Sequence, residues 1–330
     1  MTKERGHMAE AVVFPQPGKV ELCEVELPGL DPGQLLVRTR VSLISTGTEG
    51  IVYNGTFAPG THWDRWFSYP HRPGYSLVGE VIDVGSDVTG DFGPGDRVVA
   101  LLGHASHHVA DASLCTRVPD DVSDEDAAWF AVAKVGFVGA EASHARLGSS
   151  ALVVGAGPIG QMAVRWLASS GAAEVVVVHR SGRLRLDLAQ AGGATTVLQQ
   201  DLADGLSGIA PPDTIIDCTA DPNLLTHALA AVADHGRVVV VGDVGDPSQQ
   251  RLSSDLIVRG LTVVGAHGRH LLGEREHEVR RLFFGLVASG RFAGMANLVT
   301  HRFTPLDCAD AYALLDADRS ATMGVIFDWR

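Results

Sequence analysis

A cluster of three glycines near the middle of the chain constrains its fold more than any other feature. The cluster consists of Gly155, Gly157 and Gly160 and follows directly on the apolar run 151–154. Apolar residues then recur at helical spacing, and a β-branched run follows at 175–178. A strand, a tight turn, a helix and a second strand are the context in which Gly-x-Gly-x-x-Gly predicts a dinucleotide-binding unit.

Each glycine has a separate physical role in this interpretation. Gly155 permits the turn, Gly157 lets the backbone approach a pyrophosphate, and Gly160 lets the helix pack closely against the strand. The helix begins with Pro158 and Ile159, and its unpaired N–H groups and positive dipole end would face the phosphates. The alternative is a glycine-rich turn that binds nothing. The two strands and the helix around the glycines favour dinucleotide binding.

The end of the second strand indicates which dinucleotide is bound. NAD-binding chains usually carry Asp or Glu there, which accepts a hydrogen bond from the adenosine ribose 2′-OH. This chain has His179, Arg180 and Ser181 instead, and Arg185 follows shortly after. A guanidinium and a hydroxyl bind a 2′-phosphate, which a carboxylate would repel. We therefore predict NADP(H) as the cofactor, with a solvated, arginine-rich start of the next helix as the alternative.

The composition excludes several classes of partner. With 330 residues and 45% hydrophobic content, the chain is long enough for two domains. A formal net charge of −13 argues against binding to nucleic acid or anionic membranes. We find no membrane-spanning stretch and no secretion signal, and the four cysteines lie far apart without a Cys-x-x-Cys pair. We therefore expect a cytoplasmic protein that acts on a small-molecule substrate.

The predicted elements change in character along the chain. The first third is β-rich, with strands predicted at 11–14, 20–25, 35–41, 78–85 and 97–100. A helix is predicted over 125–142, and strands then alternate with helices, the strand candidates being 151–154, 174–178, 195–197, 214–218, 237–241 and 261–265. This alternation predicts an α/β fold with a doubly wound parallel sheet. The last part returns to the helices 276–290 and 307–316 and the strands 298–302 and 322–327.

Five segments in a fixed order resemble the medium-chain dehydrogenase/reductase superfamily, in particular its zinc alcohol dehydrogenase group. These are segments 41–49, 73–81, 95–98, 155–160 and 236–242, and the resemblance covers nearly the whole chain from Ala9. It implies a Rossmann domain inserted into a β-rich, barrel-like catalytic domain. The corresponding domain limits are 123–266 for the Rossmann domain and 1–122 with 267–330 for the catalytic domain. It also implies an active site in the cleft and a homodimer formed through the cofactor domain.

The chain departs from the zinc-containing members at each ligand of the catalytic metal. The resemblance places Thr46 at the first Cys ligand, Tyr75 at the His ligand and the third ligand near Ala131, within 130–134. Catalytic zinc needs three donors, and all three are replaced. The four-cysteine structural zinc lobe that should follow 95–98 is missing as well. We therefore predict a zinc-free member, similar to bacteriochlorophyllide dehydrogenase in its Ser-Thr-Gly-Thr-Glu and Pro-Gly-Tyr segments.

A cluster of histidines is the alternative source of metal ligands. His104, His107 and His108 lie close together in the sequence, and His62 and His71 could approach them. The adjacent pair His107 and His108 would point to opposite faces of a strand, so both cannot easily serve one ion. Solvated or hydrogen-bonded histidines are the interpretation that we favour.

Three residues are candidates for catalysis without zinc. The resemblance places Thr48 where a hydroxyl passes a proton between substrate and cofactor ribose, although it could simply cap the next helix. Tyr75 could donate a hydrogen bond to the substrate oxygen or form an aromatic wall. Lys134 could polarise a carbonyl or lower the pKa of a phenol, or could be a surface residue whose stem alone is buried. Glu49, where zinc members place an acid, would orient Tyr75, Lys134 or a nearby arginine.

Further residues are expected around the nicotinamide and the substrate. We expect Thr46, Thr219 and Gly242 to contact the cofactor. The aromatic-rich stretch 53–75 lines the substrate cleft in the resembled family, or it forms a small hydrophobic cluster under a loop. The predicted function is a zinc-independent, NADP(H)-dependent interconversion of a secondary alcohol and a ketone on a bulky ring, sugar or cyclitol. The alternatives are an enoyl or quinone reductase acting on a C=C bond, and a non-catalytic dinucleotide-binding scaffold.

Overall fold

Both ends of the chain contribute to one β-rich unit, and its middle forms an α/β unit. The computed structural model describes residues 8–89, 92–180, 182–198, 206, 209–219, 221–243, 249–317 and 319–330. Unit 1 comprises the residues up to Thr56 together with Asp64–Ala131 and Val299–Arg330. Unit 2 comprises Phe57–Trp63 and Val132–Leu298.

The boundaries between the two units differ from the domain limits that we expected from the sequence. The expected limits were 122/123 and 266/267, whereas the units divide after Ala131 and after Leu298, and the short segment Phe57–Trp63 belongs to unit 2. The units reflect packing and the expected limits reflect sequence pattern, so the expected limits stay a prediction.

The helices and strands have the following bounds. The strands are β1 Met8–Val13, β2 Glu21–Glu26, β3 Gln34–Ile44, β4 Leu77–Val84, β5 Arg97–Ala100, β6 His107–Asp111, β7 Thr116–Arg117, β8 Ser150–Val154, β9 Glu174–His179, β10 Thr195–Leu198, β11 Thr214–Asp217, β12 Arg237–Val240, β13 Thr262–Gly265, β14 Val299–Phe303 and β15 Gly324–Asp328. The helices are α1 Thr48–Asn54, α2 His62–Trp66, α3 Asp124–Ala127, α4 Phe130–Ala142, α5 Pro158–Ser170, α6 Arg183–Ala191, α7 Leu224–Ala231, α8 Asp255–Val258, α9 Gly273–Ala288 and α10 Cys308–Ala317.

Unit 1 is organised around the long strand β3. This strand pairs antiparallel with β4, β6 and β15, within a sheet in the order β14–β15–β3–β4–β5–β7. Alternate side chains of β3 are buried, Leu35 and Val37 among them, and they pack with Leu77, Val81 and Val98 of the neighbouring strands. Strands β1 and β2, close to the predicted strands 11–14 and 20–25, form an antiparallel hairpin.

Unit 2 contains the doubly wound sheet. Its strands are parallel and follow the order β10–β9–β8–β11–β12–β13. The central strands read as continuous buried runs, as expected for strands covered by helices on both faces. The order reverses between β8 and β11, which is where ligands bind in open sheets of this kind. The predicted α/β fold with a parallel Rossmann sheet and a β-rich unit is confirmed.

The predicted helix over 125–142 is two helices. Helix α3 starts at the N-cap Ser123, whose hydroxyl accepts a hydrogen bond from the Asp126 N–H at 3.0 Å. The Ala128 carbonyl then accepts a hydrogen bond from the Ser76 hydroxyl at 2.5 Å. This carbonyl accepts from a side chain that lies just before β4, the helix is interrupted there, and α4 begins only at Phe130. Nothing in the local sequence pattern indicates that contact.

The described part of the chain has no helix that is both long and apolar enough to cross a bilayer. Its four cysteines, Cys23, Cys115, Cys218 and Cys308, are all unpaired thiols.

Candidate functional site

The glycine turn after β8 has the geometry that the sequence predicted. Gly155 has a positive φ of 97°, which favours glycine. A Cβ on Gly160 would lie 1.9 Å from the Gly155 carbonyl oxygen, so helix α5 can approach the turn only without a side chain there. Gly157 is the N-cap of α5, with Pro158 at its first position, and a Cβ on Gly157 would meet only Arg185 Nη1, at 3.9 Å. The turn therefore presents bare backbone at the start of a helix, the arrangement that binds phosphates.

The end of β9 carries basic groups close to this turn. Arg180 is exposed, and the half-buried Arg185 reaches towards Gly157. His179 Nδ1 lies 3.4 Å from the Ala156 N–H. Burial, together with the charges of Arg185 and Arg180, lowers the pKa of His179 to about 4, so its neutral ring can accept that hydrogen bond. The predicted Ser181 lies outside the described residues.

The carboxyl ends of β11 and β12 meet beside the glycine turn. A Cβ on Gly155 would lie 3.0 Å from Thr219 Cγ2, and one on Gly242 would lie 1.5 Å from the Thr219 carbonyl oxygen. The Gly242 N–H donates to the Asp217 carbonyl at 2.9 Å. The predicted cofactor residues Gly155, Thr219 and Gly242 are thus brought together within unit 2.

Asp217 is a site residue that the sequence reasoning missed. Its Oδ1 accepts hydrogen bonds from the Thr219 N–H and the Thr219 hydroxyl, both at 2.8 Å. Its Oδ2 is buried without a hydrogen-bond partner among the described residues. Burial raises the pKa of Asp217 to about 7, against the hydrogen bonds from Thr219, which lower it. The short motif Asp-Cys-Thr at the end of a predicted strand was the only available signal.

Lys134 is buried in α4 and bonded to a carboxylate of α9. Its Nζ lies 2.8 Å from Glu276 Oε2, and Arg280 Nη2 lies 2.5 Å from Glu276 Oε1. Burial raises the pKa of Glu276, but the hydrogen bonds and charges of Lys134 and Arg280 outweigh it, and the net pKa is lowered. A Cβ on Gly268 would lie 4.0 Å from Lys134 Cε. The ammonium is therefore held in a fixed position and is not a surface group.

The candidate hydroxyls in unit 1 lie together. The Tyr75 hydroxyl is 2.5 Å from Ser45 Oγ and is also hydrogen-bonded to the Thr48 side chain. Burial raises the pKa of Tyr75, the hydrogen bonds of Ser45 and Thr48 lower it, and the charge of Glu49 raises it, with a net increase. Thr46, which lies between Ser45 and Thr48 in the sequence, is buried, and Thr48 is the first residue of α1. The set offers neutral hydrogen-bond donors.

Glu49 anchors this segment to the core of unit 1. Its Oε1 accepts from the Ser45 N–H at 2.7 Å, and its Oε2 accepts from the Tyr312 hydroxyl at 2.5 Å and contacts His104 Nε2 at 3.1 Å. The other ring nitrogen of His104 lies 2.8 Å from Ser42 Oγ. Glu49 therefore orients the chain that carries Thr46 and Thr48. The sequence had suggested Tyr75, Lys134 or an arginine as its partner.

The residues at the expected zinc positions do not fit a catalytic zinc ion. Thr46, Tyr75 and Ala131 provide no thiolate, imidazole or carboxylate, the donors that zinc prefers. The clustered histidines have separate partners: His104 bonds Ser42 and Glu49, His107 bonds Ser106, and His108 bonds the Gly103 carbonyl. Among the described residues, no group of three or more His, Cys, Asp or Glu side chains is arranged to hold an ion.

Part of the aromatic stretch 53–75 packs within unit 1. Tyr53 stacks on Tyr312 at 5.4 Å between ring centroids and meets the edge of Phe14 at the same distance. The Tyr53 hydroxyl donates to the Gly18 carbonyl at 3.0 Å, and the Tyr69 hydroxyl donates to the Val52 carbonyl. These two tyrosines therefore belong to a hydrophobic cluster, one of the two alternatives left open by the sequence.

A doubly wound sheet with a glycine-rich first turn defines a dinucleotide-binding class of protein, and comparison with known proteins narrows that class. Residues 31–154 match the alcohol dehydrogenase GroES-like domain, and residues 158–285 match the zinc-binding dehydrogenase family model. The chain belongs to the medium-chain dehydrogenase/reductase superfamily of oxidoreductases.

Individual relatives agree with this assignment. An L-threonine 3-dehydrogenase of Symbiobacterium thermophilum is 27% identical, with 88% of this chain and 89% of that protein covered. A zinc-binding dehydrogenase of Sinorhizobium meliloti bound to NADP superposes with a TM-score of 0.81 at 20% identity, covering 98% of this chain and 99% of that one. A short chain alcohol dehydrogenase of E. coli CFT073 complexed with NADH superposes with a TM-score of 0.82 at 21% identity, covering 98% of this chain and 100% of that one. These two structures share the fold.

Replacement of Glu49 by Ala tests the anchoring network of unit 1. Glu49→Ala leaves the buried His104 ring and the Tyr312 hydroxyl without their acceptor, and we expect a loss of about 3–5 kcal/mol in the free energy of unfolding. Urea unfolding measures it. The control Glu24→Ala, at an exposed position of β2, should change stability by less than about 0.5 kcal/mol. Equal, small effects of both replacements would contradict the proposed anchoring role.

Replacement of Asp217 by Asn tests the raised pKa of this carboxyl. Because the folded state retains the Asp217 proton up to about pH 7 while the unfolded chain releases it near its ordinary value, wild-type stability loses this contribution as pH rises through that window. Relative to the wild type, Asp217→Asn should therefore become more stable between pH 5 and pH 8. Urea unfolding at both pH values measures the difference, with Asp187→Asn as the exposed control. A pH-independent difference would show that the pKa is not raised.

Proposed function

We propose that the protein is a zinc-independent, NADP(H)-dependent oxidoreductase that interconverts a secondary alcohol and a ketone on a bulky metabolite with a ring, such as a sugar or cyclitol. The observation that carries this proposal is the replacement of the three zinc ligands by Thr46, Tyr75 and Ala131, with Tyr75 hydrogen-bonded to Ser45 and Thr48. Neutral hydroxyls that donate hydrogen bonds can stabilise a developing alkoxide without a metal.

The glycine turn and its neighbours fit a dinucleotide. The bare backbone at Gly157 would face the pyrophosphate, and Arg180 and Arg185 would bind the 2′-phosphate of NADP(H). Thr219 and Gly242 would lie along the rest of the cofactor. When bound, the reduced nicotinamide supplies a hydride. Structures of the same fold contain NADP in one case and NADH in another, so the preference depends on this chain's own basic residues.

The hydroxyls of unit 1 would orient the substrate oxygen. The raised pKa of Tyr75 keeps its phenol protonated at neutral pH, so that it donates a hydrogen bond. Thr48 lies within hydrogen-bonding reach of Tyr75 and would share this role. Lys134 stays a proposed catalytic residue: its ammonium, held by Glu276, would polarise a carbonyl through its positive charge.

The alcohol and ketone reaction is favoured by the relatives. The L-threonine 3-dehydrogenases that match most of this chain are, by their name, dehydrogenases of a hydroxyl-bearing substrate. This supports oxidation of a secondary alcohol more than reduction of a C=C bond, the second reaction considered from the sequence.

We also propose a cytoplasmic homodimer. Strand β13 is at the edge of the unit 2 sheet. In α8, which precedes β13 in the chain, Ile257 and Val258 are 84% and 81% exposed. Exposed apolar side chains near an unpaired strand edge are typical of a surface that a second copy covers.

Product analysis after treatment with a chelator tests the proposed chemistry. We expect the chelator-treated protein to oxidise NADPH in the presence of cyclic ketones, with the secondary alcohol as product by NMR, at a rate within about twofold of untreated protein because no metal takes part. Cyclic enones serve as the comparison substrates. Saturated ketones as products would indicate C=C reduction, and activity restored only by added zinc would contradict zinc independence.

Arginine variants test the cofactor preference. Arg180→Ala or Arg185→Ala should weaken NADPH binding about 10- to 100-fold through loss of a charge-assisted hydrogen bond to the 2′-phosphate, with NADH binding changed by less than about threefold. Fluorescence titration of each variant measures both affinities. Arg183→Ala is the matched control, because its side chain is 91% exposed. Equal loss of NADH and NADPH affinity would place these arginines elsewhere in the cofactor site.

A further inference from the structure

The strand order of unit 2 fixes where the reactive half of a dinucleotide must lie. The adenosine ribose binds at the end of the second strand, here β9, and the pyrophosphate binds at the first turn, after β8. Strands β11, β12 and β13 continue the sheet on the other side of β8. The nicotinamide half therefore extends over the carboxyl ends of β11, β12 and β13.

A histidine and a carboxylate meet at this end of the sheet. Asp243 follows Gly242 directly, just after β12 ends at Val240. Its Oδ2 lies 2.8 Å from Nε2 of His62, which belongs to the segment Phe57–Trp63 that packs into unit 2. Both side chains are about one third exposed (32% and 31%), so the pair is in contact with solvent and within reach of a ligand.

Other titratable or charged groups lie near this pair in the fold or in the sequence. Those on neighbouring elements are His267, Arg269 and His270, which follow β13, and those close in sequence are Asp64 and Arg65 of α2. Partial burial lowers the pKa of His267, its basic neighbours lower it further, and Asp243 raises it, with a net decrease. His267 Nδ1 accepts the Arg269 N–H at 3.0 Å. The His267 ring is thus a neutral acceptor near pH 7, and His62 is the imidazole that Asp243 supports directly.

Three other candidate groups are poorly suited to transfer a proton. Burial lowers the pKa of His179 to about 4. His104 is fully buried between Ser42 and Glu49 and cannot reach a substrate. Burial raises the pKa of Tyr75, which favours a phenol that keeps its proton. Carbonyl reduction nevertheless requires one proton for each hydride transferred.

We propose that His62, oriented by Asp243, donates this proton to the substrate oxygen during carbonyl reduction and accepts it during alcohol oxidation. The carbonyl carbon gains a hydride from the reduced nicotinamide, and the electron pair of the C=O π bond moves to oxygen. That oxygen takes the proton from His62 Nδ1, which leaves an alcohol and a neutral imidazole. The Asp243 carboxylate accepts the His62 Nε2–H throughout and stabilises the imidazolium. The inference rests on the proposed alcohol and ketone reaction.

Kinetics of three variants test the inference. His62→Asn should lower kcat for ketone reduction by about 10²- to 10⁴-fold, the usual contribution of a general acid, with a smaller change in KM. Asp243→Asn should lower kcat less, because the imidazole remains. His144→Asn is the matched control: His144 is exposed, and its φ of 55° suits asparagine. The pH profile of kcat should differ between the wild type and His62→Asn.

Two further measurements separate the possible failures. NADPH titration of His62→Asn should give an affinity within about twofold of the wild type, since the residue acts on substrate oxygen. In ¹H–¹⁵N NMR spectra of the cofactor-free protein, the His62 ring signals, identified by their loss in His62→Asn, should move in Asp243→Asn and stay in place in Asp64→Asn.

The outcomes are distinct. A wild type that reduces ketones together with an unimpaired His62→Asn overturns the role of His62 and leaves the proposed function intact. A wild type that reduces no ketone overturns both proposals. Ring signals that are insensitive to Asp243→Asn overturn the pairing itself, whatever the activity.

Discussion

The close approach of the backbone at the carboxyl ends of β8, β11 and β12 is the constraint on which the site in unit 2 depends. A side chain at Gly160 would collide with the Gly155 carbonyl oxygen at 1.9 Å, and one at Gly242 would collide with the Thr219 carbonyl oxygen at 1.5 Å. Because Gly160 and Gly242 leave no room for a Cβ, the main chain itself forms this end of the sheet. Main-chain N–H groups and the start of α5 can then face a phosphate.

Charge is handled differently in the interior and at the strand ends. Buried ions are paired, as Glu49 is by His104 and the Tyr312 hydroxyl, and as Lys134 is by Glu276, because an unpaired buried charge costs several kcal/mol. Among the described residues no basic side chain pairs with Asp217, and burial raises its pKa to about 7. In a chain of net charge −13, the basic groups at the end of β9 are the place where we propose that an anionic cofactor binds.

Local sequence predicted most of the fold. The parallel strands of unit 2 were placed within one or two residues, because strands covered on both faces are short, continuous apolar runs between glycine-rich turns. The glycine turn was predicted with its individual roles, since a missing Cβ is visible in the sequence. The prediction of a single helix over 125–142 was wrong. The Ser76 hydroxyl donates a hydrogen bond to the Ala128 carbonyl, and this donor is 52 residues away in the chain, outside any local pattern.

The sequence by itself determined the elements, the doubly wound sheet and the glycine turn, since each follows from the type and spacing of neighbouring residues. Only the tertiary structure decided which side chains meet. The pairs His62–Asp243 and Lys134–Glu276 join residues more than a hundred positions apart, at 2.8 Å in each case. Such contacts depend on the packing of distant elements, and no local pattern encodes them.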